Sequence, residues 1–322
     1  MPITMERLTA GHAEAAAALV GERLAELRRE RPALSESCGA PQTLADRIAR
    51  LADRGPGAAA TDAGRLVGFL GAFPIRYAGR ASMLSPEWAH GTAPGLAPAL
   101  ARRVLESLYA EAARAWDERG AETHIVCLLA HDRAALETCS WLGLGGIVCD
   151  AVRSLAPVAV PARWNVRQAT AGDAETVHDF ECGLYAHLSG SPAFLLRDEP
   201  EKVEWWRERI ADPSVRVWVV DEGAGPLGYF IQGPANDSAA DLIMDAGTSS
   251  IMGAFVAPQA RSGGAAAALL SRAVEWAREQ GYARLAVDFE TANVEGRSFW
   301  LRHFDPVVLS LARTVRVRRE SP

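Results

Sequence analysis

The chain has 322 residues, 49% hydrophobic and 23% charged, the length and composition of a water-soluble protein of two domains. A net charge of -6 argues against a nucleic-acid partner and for a neutral or cationic small molecule, and no apolar run reaches the length of a membrane span. Five cysteines and seven scattered histidines show no metal or redox spacing, and Met1-Pro2-Ile3-Thr4 leads straight into charged sequence without a leader, so a reduced cytoplasm and no metal are expected.

In chain order, a strand over about Thr4–Leu8 meets Thr9, a helix N-cap. Helical sequence follows over Ala13–Arg31 and Leu44–Arg54, then strands that include Leu66-Val67-Gly68-Phe69. A long helix over Pro98–Arg119 ends at Gly120, a C-terminal glycine cap. A strand over His124–Ala130, a short helix and a last strand close the segment. His124 and His131 are placed on one strand with an odd separation, hence on opposite faces. The segment Pro157-Val158-Ala159-Val160-Pro161 has two prolines and no helical pattern, which suits a linker.

The same order then starts again. Thr9-Ala10-Gly11-His12-Ala13-Glu14 returns as Thr170-Ala171-Gly172-Asp173-Ala174-Glu175, an offset of 161 residues. That offset carries Gly120 onto Gly281 and Asp132 onto Asn293. In the second copy a strand over Asn165–Ala169 precedes helices over Asp173–Leu188 and Pro200–Ala211. Strands over Val215–Asp221 and Leu227–Gln232 flank Glu222-Gly223-Ala224-Gly225-Pro226. A further strand, a helix over Gly264–Gln280 and a strand over Arg284–Phe289 follow. The reading is two tandem domains over 1–156 and 164–322, with 157–163 between them. Each is an α/β domain whose mixed sheet is flanked by helices.

One stretch of the second copy points to chemistry: Val256-Ala257-Pro258-Gln259-Ala260-Arg261-Ser262-Gly263-Gly264-Ala265-Ala266. It reads as a strand end, a tight turn and a helix start. A helix entered through glycines presents free N–H groups and a positive dipole end, a ready phosphate site. Arg261-Ser262-Gly263-Gly264-Ala265-Ala266 resembles the acyl-CoA pyrophosphate loop of the GNAT superfamily of N-acetyltransferases. Asn293, with Gly296 and Trp300 in the places of an alanine and a tyrosine, resembles that family's closing motif. The element order matches the family as well. The resemblance spans Asn165–Val317 well and the first copy in outline: there Pro94 and Pro98 precede the long helix, and Asp132 stands for Asn293.

The resemblance implies acetyl-CoA as co-substrate, without a metal. It implies that the backbone of Phe255 and Val256 pairs with the pantetheine arm. The amides of Ser262, Gly263, Gly264, Ala265 and Ala266 would face the pyrophosphate, with Arg261 completing the turn. Asn293 would bond the cofactor arm, or cap the helix that follows, and Trp300 would take the tyrosine's place beside the cofactor. Direct attack of an amine on the thioester needs a base and often an acid. Asp288, five residues before Asn293, is the candidate base, Glu290 shares its strand face, and Tyr185 is a further candidate. Glu181, Asp237, Asp241 and Asp245 would attract a cationic acceptor. Trp205 and Trp206 either wall the acceptor pocket or anchor a helix. The activity implied is acetylation of a small-molecule amine by a cytoplasmic monomer or homodimer, with the first copy structural or acceptor-binding. The alternatives are a non-catalytic acyl-CoA-binding or interaction protein and a protein or peptide N-acetyltransferase.

Overall fold

The computed structural model describes residues 3–35, 39–195, 199–235 and 240–315. Its elements repeat at nearly the offset seen in the sequence. The first set is β1 (Thr4–Arg7), α1 (Ala13–Glu30), α2 (Pro41–Arg54), β2 (Gly57–Asp62), β3 (Arg65–Gly71), β4 (Phe73–Tyr77), β5 (Arg80–Ser85), β6 (His90–Thr92), α3 (Pro98–Glu118), β7 (Thr123–Leu129), α4 (Arg133–Trp141) and β8 (Gly145–Ser154). The second is β9 (Asn165–Gln168), α5 (Ala174–Ser189), α6 (Val203–Ala211), β10 (Arg216–Asp221), β11 (Pro226–Pro234), β12 (Thr248–Val256), α7 (Ala265–Glu279), β13 (Arg284–Glu290), α8 (Val294–His303) and β14 (Asp305–Thr314). The second set has the expected order throughout. The first has five strands, β2 to β6, between its second helix and its long helix, where three are expected. His131 lies past the end of β7, not on it, and α6 begins at Val203, not Pro200.

Local chemistry explains the matching ends. Thr9 and Thr170 each open a copy with a capping box, closed by His12 and by Asp173. Asp173 accepts from Thr170 N–H at 2.7 Å and from both terminal nitrogens of Arg167 at 2.8 Å. The Arg167 guanidinium holds this carboxyl well below the usual carboxylate range. Gly120 and Gly281 end α3 and α7 with φ of 78° or less. In each case the following N–H reaches back to the helix, Ala121 to Trp116 and Tyr282 to Ala277, which closes the same C-terminal motif.

The chain folds into two compact units that do not follow the sequence boundary at 157–163. One is built from the chain up to Cys149, with Ala240–Leu242 and the chain from Pro306; the other from Asp150–Ala239 and Ile243–Asp305. In the first unit, β1, β2, β3 and β6 form one antiparallel sheet. β4 pairs antiparallel with β5, β5 parallel with β7, and the returning β14 antiparallel with β7. Its core gathers Leu70, Val104, Leu108, Trp116, Val126 and Leu128. The return of β14 is what an N-to-C reading of the copies misses: Val308, Ser310 and Ala312 sit opposite Leu129, Cys127 and Ile125.

The second unit orders its strands β13-β12-β11-β10-β9, with β12 and β13 parallel and the other pairs antiparallel. Val177 of α5 and Trp206 of α6 pack on Val217, Val219, Tyr229 and Ile231 on one face. On the other face, α7 buries Ala268, Leu269, Ala273, Val274 and Ala277. No helix of the described residues is long and apolar enough to cross a membrane.

Candidate active site

The second unit's sheet opens at β12. Parallel pairing with β13 runs from Thr248 opposite Arg284 to Ile251 opposite Val287 and stops there. Both strands continue, to Val256 and Glu290. Residue burial follows: Thr248 to Ile251 are buried, and Met252 to Val256 are half-exposed. On its other edge β12 stays paired to β11, with a register shift between Ile231 and Gln232 that leaves Met252 as the extra residue of a β-bulge. The bulge lies where the two parallel strands part.

Backbone direction settles which groups face the opening. Ala257 N–H donates to the Leu227 carbonyl at 2.8 Å. By strand alternation Phe255 also turns its N–H and C=O towards β11, and Ala254 and Val256 turn theirs towards the opening. The sequence expectation for Phe255 is thereby corrected: its backbone belongs to the β11 ladder. Its ring packs at 6.0 Å from Phe180. Gly183 on α5 makes room for that ring, since a Cβ there would lie 3.0 Å from it. The Val256 carbonyl accepts from Arg261 Nε at 3.1 Å, and Arg261 Nη1 pairs with Glu295 at 2.6 Å. Arg261 thus ties the turn to the strand end and to α8.

The turn itself is held from behind. Ser262 and Gly264 take positive φ, 60° and 92°. The Gly263 carbonyl accepts from Trp164 Nε1 at 2.7 Å and from Arg163 at 3.1 Å. A Cβ on Gly264 would meet Pro161 at 2.8 Å. The residues between the copies therefore pack against the glycine turn. Among the described residues, the amides of Ser262, Gly263, Gly264, Ala265, Ala266 and Ala267 make no hydrogen bond to a protein acceptor. No side chain caps α7, and its first bond runs from Ala268 N–H to the Gly264 carbonyl. Six successive unpaired donors at a helix N-terminus fit an anionic group such as a pyrophosphate.

The remaining sequence candidates separate. Asn293 caps α8, accepting from Gly296 N–H at 3.1 Å and from His187 Nε2 at 3.2 Å. Gly296 is required there, because a Cβ would meet the Asn293 amide at 2.6 Å. Trp300 is 7% exposed and packs between Phe230 and Phe304, with centroids at 5.6 and 5.5 Å. It is a core residue of the α8 face. Asp288 and Glu290 alternate with buried Val287 and Phe289 on β13. Ser249 bonds Gln232, which reaches the Ala273 carbonyl of α7, so Ser249, Ile251 and their partners Leu285 and Val287 take the α7 face. Both carboxylates therefore stand on the opposite face, that of α5 and α6. Asp237 lies outside the described residues. Asp241 belongs to the first unit, and Asp245 is bound by Arg284 at 2.7 Å, so neither of these two carboxylates is free to attract an acceptor.

On the α5 and α6 face a cavity of about 470 Å³ reaches β12 at Met252 and Gly253. Tyr185, Glu181, Trp205, Trp206 and Tyr229 line it, with Arg209 and Ser214. Asp288 and Glu290 are not among the lining residues. Glu181 is 8% exposed and accepts from Trp206 Nε1 at 2.9 Å. Burial pushes its pKa up, against the pull of that indole bond. Of the tryptophan pair, Trp206 is buried in the core, and both rings border the cavity. Arg209, Ser214, Tyr229 and Met252 were not singled out by sequence. Their only signal was membership of elements that flank the bulge.

Comparison with known proteins bears on the same region. A family model, the acetyltransferase (GNAT) family, matches residues 183–304. One similar solved structure is a GCN5-related glucosamine N-acetyltransferase region of a fungal multi-domain GH3 β-N-acetylglucosaminidase. It shares 12% identity over 97% of this chain and 38% of that one, with a TM-score of 0.53, so the chain spans well under half that protein's length. Another is a GCN5-related N-acetyltransferase from Sphaerobacter thermophilus, at 15% identity over 99% of this chain and 98% of that one, with a TM-score of 0.50. At these identities the likeness is one of fold. No curated protein sequence matches the chain.

Proposed function

We propose that the second unit, which holds most of the stretch matched by the acetyltransferase (GNAT) family model over residues 183–304, moves an acetyl group from acetyl-CoA to the amine of a small molecule. The observation that carries this reading is the run of six amides, Ser262 to Ala267, without a protein acceptor among the described residues, at the end of a strand whose pairing with β13 ends at Ile251. Each amide that meets a phosphate oxygen contributes about 1.5–3 kcal/mol. The helix dipole adds about 0.3–1 kcal/mol. The open edge at Ala254 and Val256 offers backbone partners to an extended amide chain, in the manner of an added strand.

Bound acetyl-CoA supplies a thioester carbonyl open to attack by an amine. The protein's part is to fix that carbonyl, receive the amine and manage protons. On this reading the two substrates meet between the bulge at Met252 and the cavity beside Gly253. Tyr185 lines the cavity and has a hydroxyl able to protonate a leaving thiolate, which the indole of Trp300 lacks. Asp288 and Glu290 stand on the same sheet face and are the second set of proton carriers.

Ala266→Glu tests the cofactor site without attacking the fold. An acid in the first turn of a helix favours the helix by about 0.3–1 kcal/mol. The same carboxylate repels a pyrophosphate. The melting temperature should hold or rise while coenzyme A affinity, measured by calorimetry, falls by roughly two orders of magnitude. An unchanged affinity would remove the phosphate from this loop. Release of free thiol from acetyl-CoA in the presence of amines separates turnover from mere acyl-CoA binding.

A further inference from the structure

The cavity on the α5 and α6 face has a chemistry of its own. Four rings border it, those of Tyr185, Trp205, Trp206 and Tyr229. Trp206 stands edge-on to Trp205 at 4.9 Å and to Tyr229 at 5.3 Å, so the ring positions are mutually fixed. Among the described residues Glu181 is the one acidic side chain in the lining, and it is nearly buried. Its carboxylate is already engaged by the Trp206 indole and by the backbone N–H of Glu201, whose own carboxylate stands near, and these bonds hold it in place. The guanidinium in the lining, Arg209, is stacked over Trp205 at 5.1 Å and paired with Asp212 at 3.1 Å.

That set selects among amines. A carboxylate ringed by aromatic faces receives an ammonium by charge and by cation–π attraction together. An amino sugar brings several hydroxyls that need partners, and apart from Glu181 and Arg209 the lining offers Ser214 and two phenols. Burying unpaired hydroxyls is costly. A polyamine brings several charges to a single carboxylate. We propose that the acceptor is a primary amine on an apolar, ring-bearing body, that Glu181 receives its ammonium, and that Glu181 takes the proton that frees the nitrogen for attack. This rests on the reading of the second unit as an acyl-CoA transferase.

The step balances as follows. The ammonium gives one proton to Glu181, and the neutral nitrogen forms a C–N bond to the acyl carbon as the C–S bond breaks. The second proton leaves the nitrogen and ends on the departing sulfur, with Tyr185 placed to relay it. Glu181 returns its proton to solvent. The products are the amide, the free thiol of coenzyme A and one proton. Burial serves this role, because it makes the Glu181 carboxylate a stronger base than an exposed one.

The test uses the full chain with 2-phenylethylamine, glucosamine and spermidine as probes. Amine binding is read first, without acetyl-CoA, from the intrinsic tryptophan fluorescence of the cavity wall. Phenylethylamine should bind best, and Glu181→Gln should weaken it about tenfold or more. With acetyl-CoA, kcat/KM for phenylethylamine should exceed the other two, and Glu181→Gln should lower kcat by about 100-fold or more. Coenzyme A affinity of Glu181→Gln should match the parent, and Glu181→Asp should recover part of kcat. If coenzyme A binds but glucosamine or spermidine is preferred, or if Glu181→Gln keeps its kcat, the inference falls and the transferase reading stands. If coenzyme A does not bind at all, both fall.

Discussion

Gly263 and Gly264 show how the turn proposed to hold a pyrophosphate is fixed by the segment that precedes the second copy. The peptide between them is planar, so a carbonyl held on one side aims the next N–H to the other. Trp164 and Arg163 both donate to the Gly263 carbonyl, at 2.7 and 3.1 Å. They thereby turn the Gly264 amide towards the open side of the loop. Trp164→Phe keeps the ring and removes the stronger donor. Coenzyme A affinity should fall about three- to tenfold, with kcat nearly unchanged. An unaltered Kd in calorimetry would show that the loop holds its orientation without the preceding segment.

The equivalent strands of the two units differ at one point, and the difference has an electrostatic consequence. In the second unit the bulge at Met252 interrupts one continuous strand. In the first unit the chain breaks between β5 and β6, and Pro86-Glu87-Trp88-Ala89 fills the gap. Ala240–Leu242 packs there as part of the same unit. The Leu242 amide donates to Glu87 at 2.9 Å, and Trp88 Nε1 donates to Asp241 at 2.5 Å. Glu87 is buried beside Asp241, with Arg47 near, and burial pushes its pKa up to about 7. A carboxyl whose native pKa is raised binds a proton that the unfolded chain releases. Its cost is absent below about pH 4.5, grows as pH rises through 7, and is complete above, for a total of ~3 kcal/mol. Glu87→Gln keeps an acceptor for Leu242 and cannot ionise. Its stability advantage over the parent in urea denaturation should rise from near zero at low pH to its full value by about pH 8. Parallel curves across that range would show that Glu87 is not the titrating group.

At the scale of the molecule, two copies of one element order invite two cofactor sites, and the proposed reading expects one, because Pro94 and Pro98 interrupt the run of amides in the first copy. Before α3, Pro98 has no N–H, and the Leu100 and Ala101 amides are spent on the Ala97 carbonyl. Before α7 six amides in succession are free. Asp132, the counterpart of Asn293, caps α4 and pairs with buried Arg23. Its charge is therefore neutralised by Arg23, and the two copies differ chiefly in their backbone donors. Titration should give one coenzyme A per chain. Two per chain, or a stoichiometry left at one half of two by the Ala266→Glu change, would place a second site in the first unit.

The repeat, the threonine N-caps, the glycine ends of the long helices and the glycine turn at 262–264 were all legible in the sequence, because each depends on neighbours a few residues apart. The offset of Thr9 to Thr170 carried Asp132 onto Asn293, and both prove to cap the same short helix. What the sequence could not supply depends on residues far apart in the chain. Trp300 is buried because Phe230 and Phe304 surround it, and Phe255 turns its backbone to β11 because of the ladder's register. Glu181 and Trp205 meet at one cavity because α5 and α6 pack on the same sheet face. The return of β14 to the first unit is decided by pairing across about half the chain. Local spacing determined the elements and the glycine turn, whereas packing and strand pairing, which reward only residues brought together by folding, decided the cavity and its charge.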